Sequence, residues 1–388
     1  MKYLKHIKIT ILLLIALLIG ITVASLIYNS DVYSPWWAHV LVVIGAILLT
    51  LTIHELTHAI AFSVLGIKIK AIYILIFMFI RKKKFFTIKI NPRLIVLLGG
   101  LVVPLLPPVK SDEELEELSK KIAKSLIAAP IASIVFGFFW VLAFILILIF
   151  SSSMTFITLS ITASFVILIL TLLVIIASSA GTDQIAGDFV AYERVLNNKD
   201  YQFQVVDSYL NFNKPAQLES KAYLDQHKRN YLKTRYLGTS LDTLSYVTDY
   251  IDDVLFKKGK RDYIIEQRIF KMSYFKLEQS NEGITTLFMI LYLYFISGEK
   301  EEAFNLLNRL EKNTNDKIDK KHLDYEIKRA HHLLGLEDNT EFLLDPKNEY
   351  EGFNWILKPV LDPEPPLDLS PLKLGIKVPI IKFFEIIE

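Results

Sequence analysis

Residues 7–28, 36–67, 126–150 and 154–178 form four apolar stretches. Each is long enough to cross a bilayer as a helix, because a hydrocarbon core of about 30 Å takes roughly 20 residues. The first exceeds the apolar core of about 7–15 residues usual in a cleaved signal peptide, and it reads as an uncleaved anchor. Trp36 and Trp37 then fall at the membrane interface, where indole rings are favoured. Residues 111–118, Ser-Asp-Glu-Glu-Leu-Glu-Glu-Leu, put an N-cap serine before acids that suit a helix dipole. A helix is expected to start there and run unbroken into the third stretch.

Between the second and third stretches the pattern changes. Residues 71–80 are β-branched and aromatic, and residues 85–90 alternate as a strand does. Two strands joined by the basic turn 81–84, dipping into the membrane against the protein, are expected. The alternative is a short helical hairpin, since ten apolar residues cannot cross alone. From about Asn197 the chain reads as soluble and helical. Residues 286–307 look like a helix, a turn at Gly298 and a second helix, which resembles one tetratricopeptide-type unit; an ordinary helical domain is equally open. Residues 361–371 are proline-rich and extended, and residues 379–387 lie either on a membrane or on the protein.

The expected fold is therefore mainly α, a polytopic membrane helix bundle with a small membrane-associated β-hairpin. A C-terminal soluble α-helical domain follows. The expected divisions are an anchor and short external loop at 1–35 and a membrane core at 36–196 with its β-loop at 68–108. A cytoplasmic helical domain at 197–357 and a proline-rich tail at 358–388 complete the chain.

The 388 residues are 52% hydrophobic with a mean hydropathy of +0.38, as in membrane proteins. There is no cysteine, which excludes disulfides, thiolate metal sites and cysteine nucleophiles. The net charge of +2 hides an asymmetry, with twelve Lys/Arg against two Asp/Glu in residues 1–110. The basic residues cluster at Lys2, Lys5 and Lys8, at Lys68 and Lys70, and at residues 81–84 with Lys89 and Arg93. Beside hydrophobic spans such runs mark cytoplasmic loops, and no nucleic-acid partner is expected. The N-terminus, residues 68–93 and everything after about residue 179 are then cytoplasmic.

Within the second stretch lies His54-Glu55-Leu56-Thr57-His58. Residues four apart on a helix lie about 40° from one another around its axis, so His54 and His58 can offer nitrogens to one ion. Glu55 points to a neighbouring face, within reach of a water on that ion. The competing reading is a chance match, which would more readily fall on a polar, solvated helix. Here both flanks are apolar, and a charged group at the centre of a span costs about 2.5–3.5 kcal/mol on insertion scales. A penalty of that size points to a bound ion with a use.

These residues resemble the site-2 protease family of intramembrane zinc metallopeptidases, over about residues 49–196. The second stretch is similar to the family's His-Glu-x-x-His helix. Gly66-Ile-Lys-Ile-Lys is similar to the segment that opens its membrane β-loop, and Leu98-Gly99-Gly100 to the Leu-Gly-Gly that closes it. Ala129-Pro130-Ile-Ala-Ser133 stands where the family has Gly-Pro-x-x-Asn, with the Ser133 hydroxyl in place of the amide. The resemblance implies one Zn2+ ion held by His54, His58 and an aspartate on or just after a later core helix. Two aspartates compete for that place, and neither is followed by the family's glycine. Asp183 lies nearer the end of the fourth stretch. Asp188 starts a segment more like that of bacterial members, and it is preferred, with Asp183 as the alternative.

Two histidines and one aspartate leave a fourth tetrahedral position open, as in catalytic zinc sites. The implied reaction is peptide-bond hydrolysis with Glu55 as general base, on a transmembrane or membrane-associated peptide in the lipid bilayer of the cell membrane. An edge strand within residues 72–90 is expected to capture the extended substrate by strand addition. The C-terminal helical domain carries no catalytic pattern. His331 and His332 read as surface residues there, and a protein-binding role is expected by analogy with helical modules. A competing reading is a proteolytically inactive family member, acting as a membrane peptide-binding scaffold with a cytoplasmic interaction domain. A transporter is disfavoured, because the four stretches show no internal repeat.

Overall fold

The structure is a computed structural model that describes residues 34–82, 85–97, 99–181, 186–257, 259–348, 356–361 and 368–375. The chain divides into two compact units, residues 1–221 with 358–362 and residues 222–357 with 363–388. The anchor expected at 7–28 and the apolar tail at 379–387 lie outside the described residues.

Three helices of the first unit are long and apolar enough to cross a membrane. They are α1 (Trp36–Val64), α2 (Asp112–Phe150) and α3 (Met154–Ser179). Helix α2 begins as its sequence dictates, with the Ser111 hydroxyl accepting from the Glu114 N–H and acids in the first turn. It then runs on through the third apolar stretch without interruption. Hydroxyls in these helices bond carbonyls one turn back, as Thr50 does to Ala46, Ser164 to Ser160 and Thr171 to Ile167. That keeps them satisfied where water is absent.

The helices are joined by small and polar contacts over an apolar core. The Trp140 indole N–H of α2 donates to Ser164 of α3 at 2.9 Å. Nearby, a Cβ on Gly137 would sit 3.2 Å from the Thr171 side chain, so the two helices approach closely there. Val141, Phe144, Ile157, Ile161, Leu168 and Ile175 form one buried cluster. At the start of α1, His39 bridges to Ser34 at 2.6 Å and to Thr162 of α3 at 2.7 Å.

The segment after α1 folds into a four-stranded antiparallel sheet in the order β3-β2-β1-β4. Its strands are β1 (Lys68–Ile74), β2 (Phe77–Lys82), β3 (Phe85–Ile90) and β4 (Gly100–Leu105). The two-stranded expectation is corrected. Residues 71–80 turn back on themselves at Leu75, which adopts φ 50 and donates its N–H to the Gly99 carbonyl at 3.0 Å. A leucine in the left-handed region carries none of the Gly, Asn or Pro signal that marks a turn in sequence. Strand β1 is paired on both sides, Ile74 facing Phe77 of β2 and Gly100 of β4.

After α3 come α4 (Asp188–Asn197), α5 (Lys199–Leu210) and the first part of α6 (Lys214–Thr234). The stretch after β4 is tied to these helices. Asn213 donates to the Leu106 carbonyl at 2.7 Å, and the Val109 N–H to Ser220 at 2.8 Å.

The second unit is helical throughout its described elements: α7 (Leu241–Phe256), α8 (Tyr263–Ile269), α9 (Tyr274–Leu277), α10 (Asn281–Ile296), α11 (Lys300–Glu311), α12 (Lys320–Leu333) and α13 (Thr340–Leu344). Helix α10 is apolar all round and buried all round, which makes it the centre of this unit. Gly298 at φ 79 supplies the left-handed turn into α11. The extended segment 368–375 lies along α12, with the Leu372 N–H donating to the Leu333 carbonyl at 2.7 Å. Here His332 corrects the sequence reading. It is buried and bonds the Leu369 carbonyl at 2.9 Å, because neighbours on a helix point about 100° apart and one of the pair faces inward.

Candidate metal centre

His54 and His58 lie one turn apart on α1, both buried, their rings 5.1 Å apart and nearly perpendicular. The Nε2 atoms of both point at Asp188, the first residue of α4. Its Oδ2 lies 3.3 Å from His54 Nε2 and 3.6 Å from His58 Nε2. One donor atom from each of the three residues falls within 4.8 Å of the others. Asp183 lies outside the described residues.

The far nitrogens decide what the near ones can do. His58 Nδ1–H donates to the Ser125 carbonyl of α2 at 2.9 Å. The Ser133 hydroxyl spends its proton on the Ala129 carbonyl at 3.1 Å. Its lone pair is therefore left to accept from His54 Nδ1–H at 3.0 Å. Both rings thus carry their proton on Nδ1 and turn a bare Nε2 lone pair toward the Asp188 carboxylate. Three lone pairs facing one another repel unless a cation lies among them.

The spacing suits zinc. Bonds of about 2.0–2.2 Å at tetrahedral angles separate the donors by roughly 3.3–3.6 Å.

Asp188 is delivered by a tight connection. The Gly187 N–H donates to the Ala180 carbonyl at 2.8 Å, and Gly181 bridges to Ala186. A Cβ on Gly187 would collide with the Ala177 carbonyl, so only glycine lets α4 start this close to the end of α3. Ser178 then donates to Asp188 Oδ2 at 3.3 Å.

Glu55 is buried beside the pair and packs against Gly100 at the start of β4, where a Cβ would lie 2.6 Å from Glu55 Cδ. Ser125, Ser178 and Gly187 are supporting residues that sequence reasoning missed. A backbone carbonyl leaves no trace in a motif, and serine in an apolar helix reads only as a small residue.

The fold is that of a membrane protein, and its two histidines and one aspartate converge on one point as a candidate metal site. The model of Peptidase family M50 matches residues 42–314, and the chain belongs to that family, the site-2 protease family of zinc-dependent intramembrane metallopeptidases. The match reaches well beyond the motifs at 49–196, as far as the segment after α11. Comparison with curated proteins and with solved structures finds no match.

Proposed function

We propose that this chain is an active intramembrane zinc endopeptidase, with His54, His58 and Asp188 as ligands and Glu55 as general base. The observation that carries this reading is the pair of Nδ1 hydrogen bonds, which aim both bare Nε2 atoms at a carboxylate oxygen. Zinc bound there supplies Lewis acidity that polarises a carbonyl and activates water. Glu55 takes the proton from the attacking water as the new C–O bond forms, and returns it to the amine as the C–N bond breaks. Its burial beside the ligands keeps bulk water from competing for that proton.

The substrate class follows from depth. His58 stands about 9 Å along the axis from the Val64 end of α1, at about 1.5 Å per residue. The basic residues that follow make this the cytoplasmic side. The substrate is a transmembrane or membrane-associated peptide, unwound locally, because a helical carbonyl is already bonded and shielded. Of the strands within residues 72–90, β1 and β2 are paired on both sides, and β3 is an edge of the sheet. Capture of the extended substrate by strand addition falls to β3, the edge strand within that range. The helical second unit serves as a cytoplasmic partner-binding module.

The test is zinc content and cleavage of single-span membrane peptides by wild type and by Glu55→Ala. Zinc in both, with cleavage lowered about 100- to 10,000-fold in the variant, is expected. Stoichiometric zinc with no cleavage by wild type would leave the peptide-binding scaffold as the better reading.

A further inference from the structure

The segment 368–375 touches the second unit along one edge. Its Leu369, Leu372 and Gly375 are half-buried, and the residues between them are exposed, Leu374 by 52%. A period of three is that of polyproline II, which completes a turn in three residues. Pro371 favours it, because the residue before a proline is pushed toward extended backbone.

That edge is held by main-chain contacts at the ends of two helices, where the last carbonyls have no partner within the helix. Leu333, the last residue of α12, accepts from the Leu372 N–H at 2.7 Å. Phe295, one residue from the end of α10, accepts from the Gly375 N–H at 3.4 Å. Buried His332 completes the set. Its Nδ1 accepts from the Asn339 N–H at 3.2 Å, so its proton sits on Nε2 and goes to the Leu369 carbonyl at 2.9 Å. Register is fixed at the far end, because a Cβ on Gly375 would collide with the Ile296 carbonyl. Only glycine fits there.

We infer that the ends of α10 and α12 are a docking seat for an extended peptide of another protein. The peptide carries leucine, leucine and glycine at every third position, and segment 368–375 is its resident stand-in. This rests on the reading of the second unit as a partner-binding module, and it gives that module a site. Main-chain bonds supply attachment and the glycine supplies selectivity, a division suited to a preformed extended ligand. The resident holds on by one edge with most of its side chains in solvent, so it opens at lower cost than the buried helices beneath it. Its tether makes it a competitor at an effective concentration on the order of millimolar, which an incoming peptide must exceed in affinity or amount.

The experiment uses the full chain and a fluorescently tagged, end-capped peptide of residues 368–375, Asp-Leu-Ser-Pro-Leu-Lys-Leu-Gly. In wild type the Leu372 amide should be protected from hydrogen exchange, and excess peptide should speed its exchange about tenfold. The Gly375→Ala chain should bind the peptide about tenfold more tightly than wild type, since its own segment no longer seats. Changes in the peptide test register without touching the fold of the protein. Gly375→Ala in the peptide should abolish binding, whereas Leu374→Ala, at an exposed position, should leave it within about twofold.

A Leu372 amide that is unprotected in wild type, or whose exchange excess peptide leaves unchanged, overturns the inference. If a pool of unrelated extended peptides binds the second unit while Leu372 stays protected, the seat falls and the module reading stands; if the pool binds nowhere either, both fall. A wild-type dimer that the peptide splits into monomers would show tails exchanged between copies, and would overturn another protein as the occupant.

Discussion

Helix α1 carries histidines at both ends, and they are used in opposite ways. His39 has both ring nitrogens within hydrogen-bond reach of hydroxyls, Ser34 at 2.6 Å and Thr162 at 2.7 Å. His54 and His58 each have one nitrogen engaged by α2 and the other turned to Asp188. Residue type, helix and apolar setting are shared. The difference lies in how many nitrogens the surroundings occupy. A histidine bonded at both sides ties helices together, whereas one bonded at a single side keeps a lone pair for a metal.

The sharpest way to break this comparison is to remove a ligand. His54→Ala, His58→Ala or Asp188→Ala should each abolish stoichiometric zinc and cleavage, read by metal analysis of the purified protein and by the peptide assay. A variant that keeps both would remove that residue from the ligand set. Next comes the outer bond that separates the two ends. Ser133→Ala should leave His54 in place but free its ring to rotate, weakening zinc affinity or activity about 10- to 100-fold. Ser133→Asn should recover much of this, because its side-chain carbonyl can accept from Nδ1. The smallest effect is expected at the other end. His39→Ala should leave zinc content unchanged and destabilise by roughly 0.6–1.7 kcal/mol, in the range measured for interhelical polar contacts in membranes. Thermal unfolding in detergent checks this, and lost zinc in that variant would collapse the distinction.

Much of the fold is legible in the sequence. The spans at 36–67, 126–150 and 154–178 announce themselves because apolar length needs no tertiary context, and the pairing of His54 with His58 follows from helical spacing alone. The sheet is half legible. Its strands alternate, but the reversal at Leu75 has no turn residue to mark it. The aspartate that meets the histidines is the least legible. Asp183 and Asp188 look alike in sequence, and what draws Asp188 to the histidines is a glycine whose missing Cβ lets α4 begin against Ala177. Ser125 acts through its backbone, which no side-chain pattern records.

Two long apolar helices separate Asp188 from His58 along the chain, and this order has a consequence for biogenesis. A nascent chain still emerging with only α1 and α2 threaded into lipid lacks its acidic donor. The ion cannot be fully clasped until α3 has returned and α4 has begun. At the proposed site, binding of an ion by all three residues is thereby a late step of assembly.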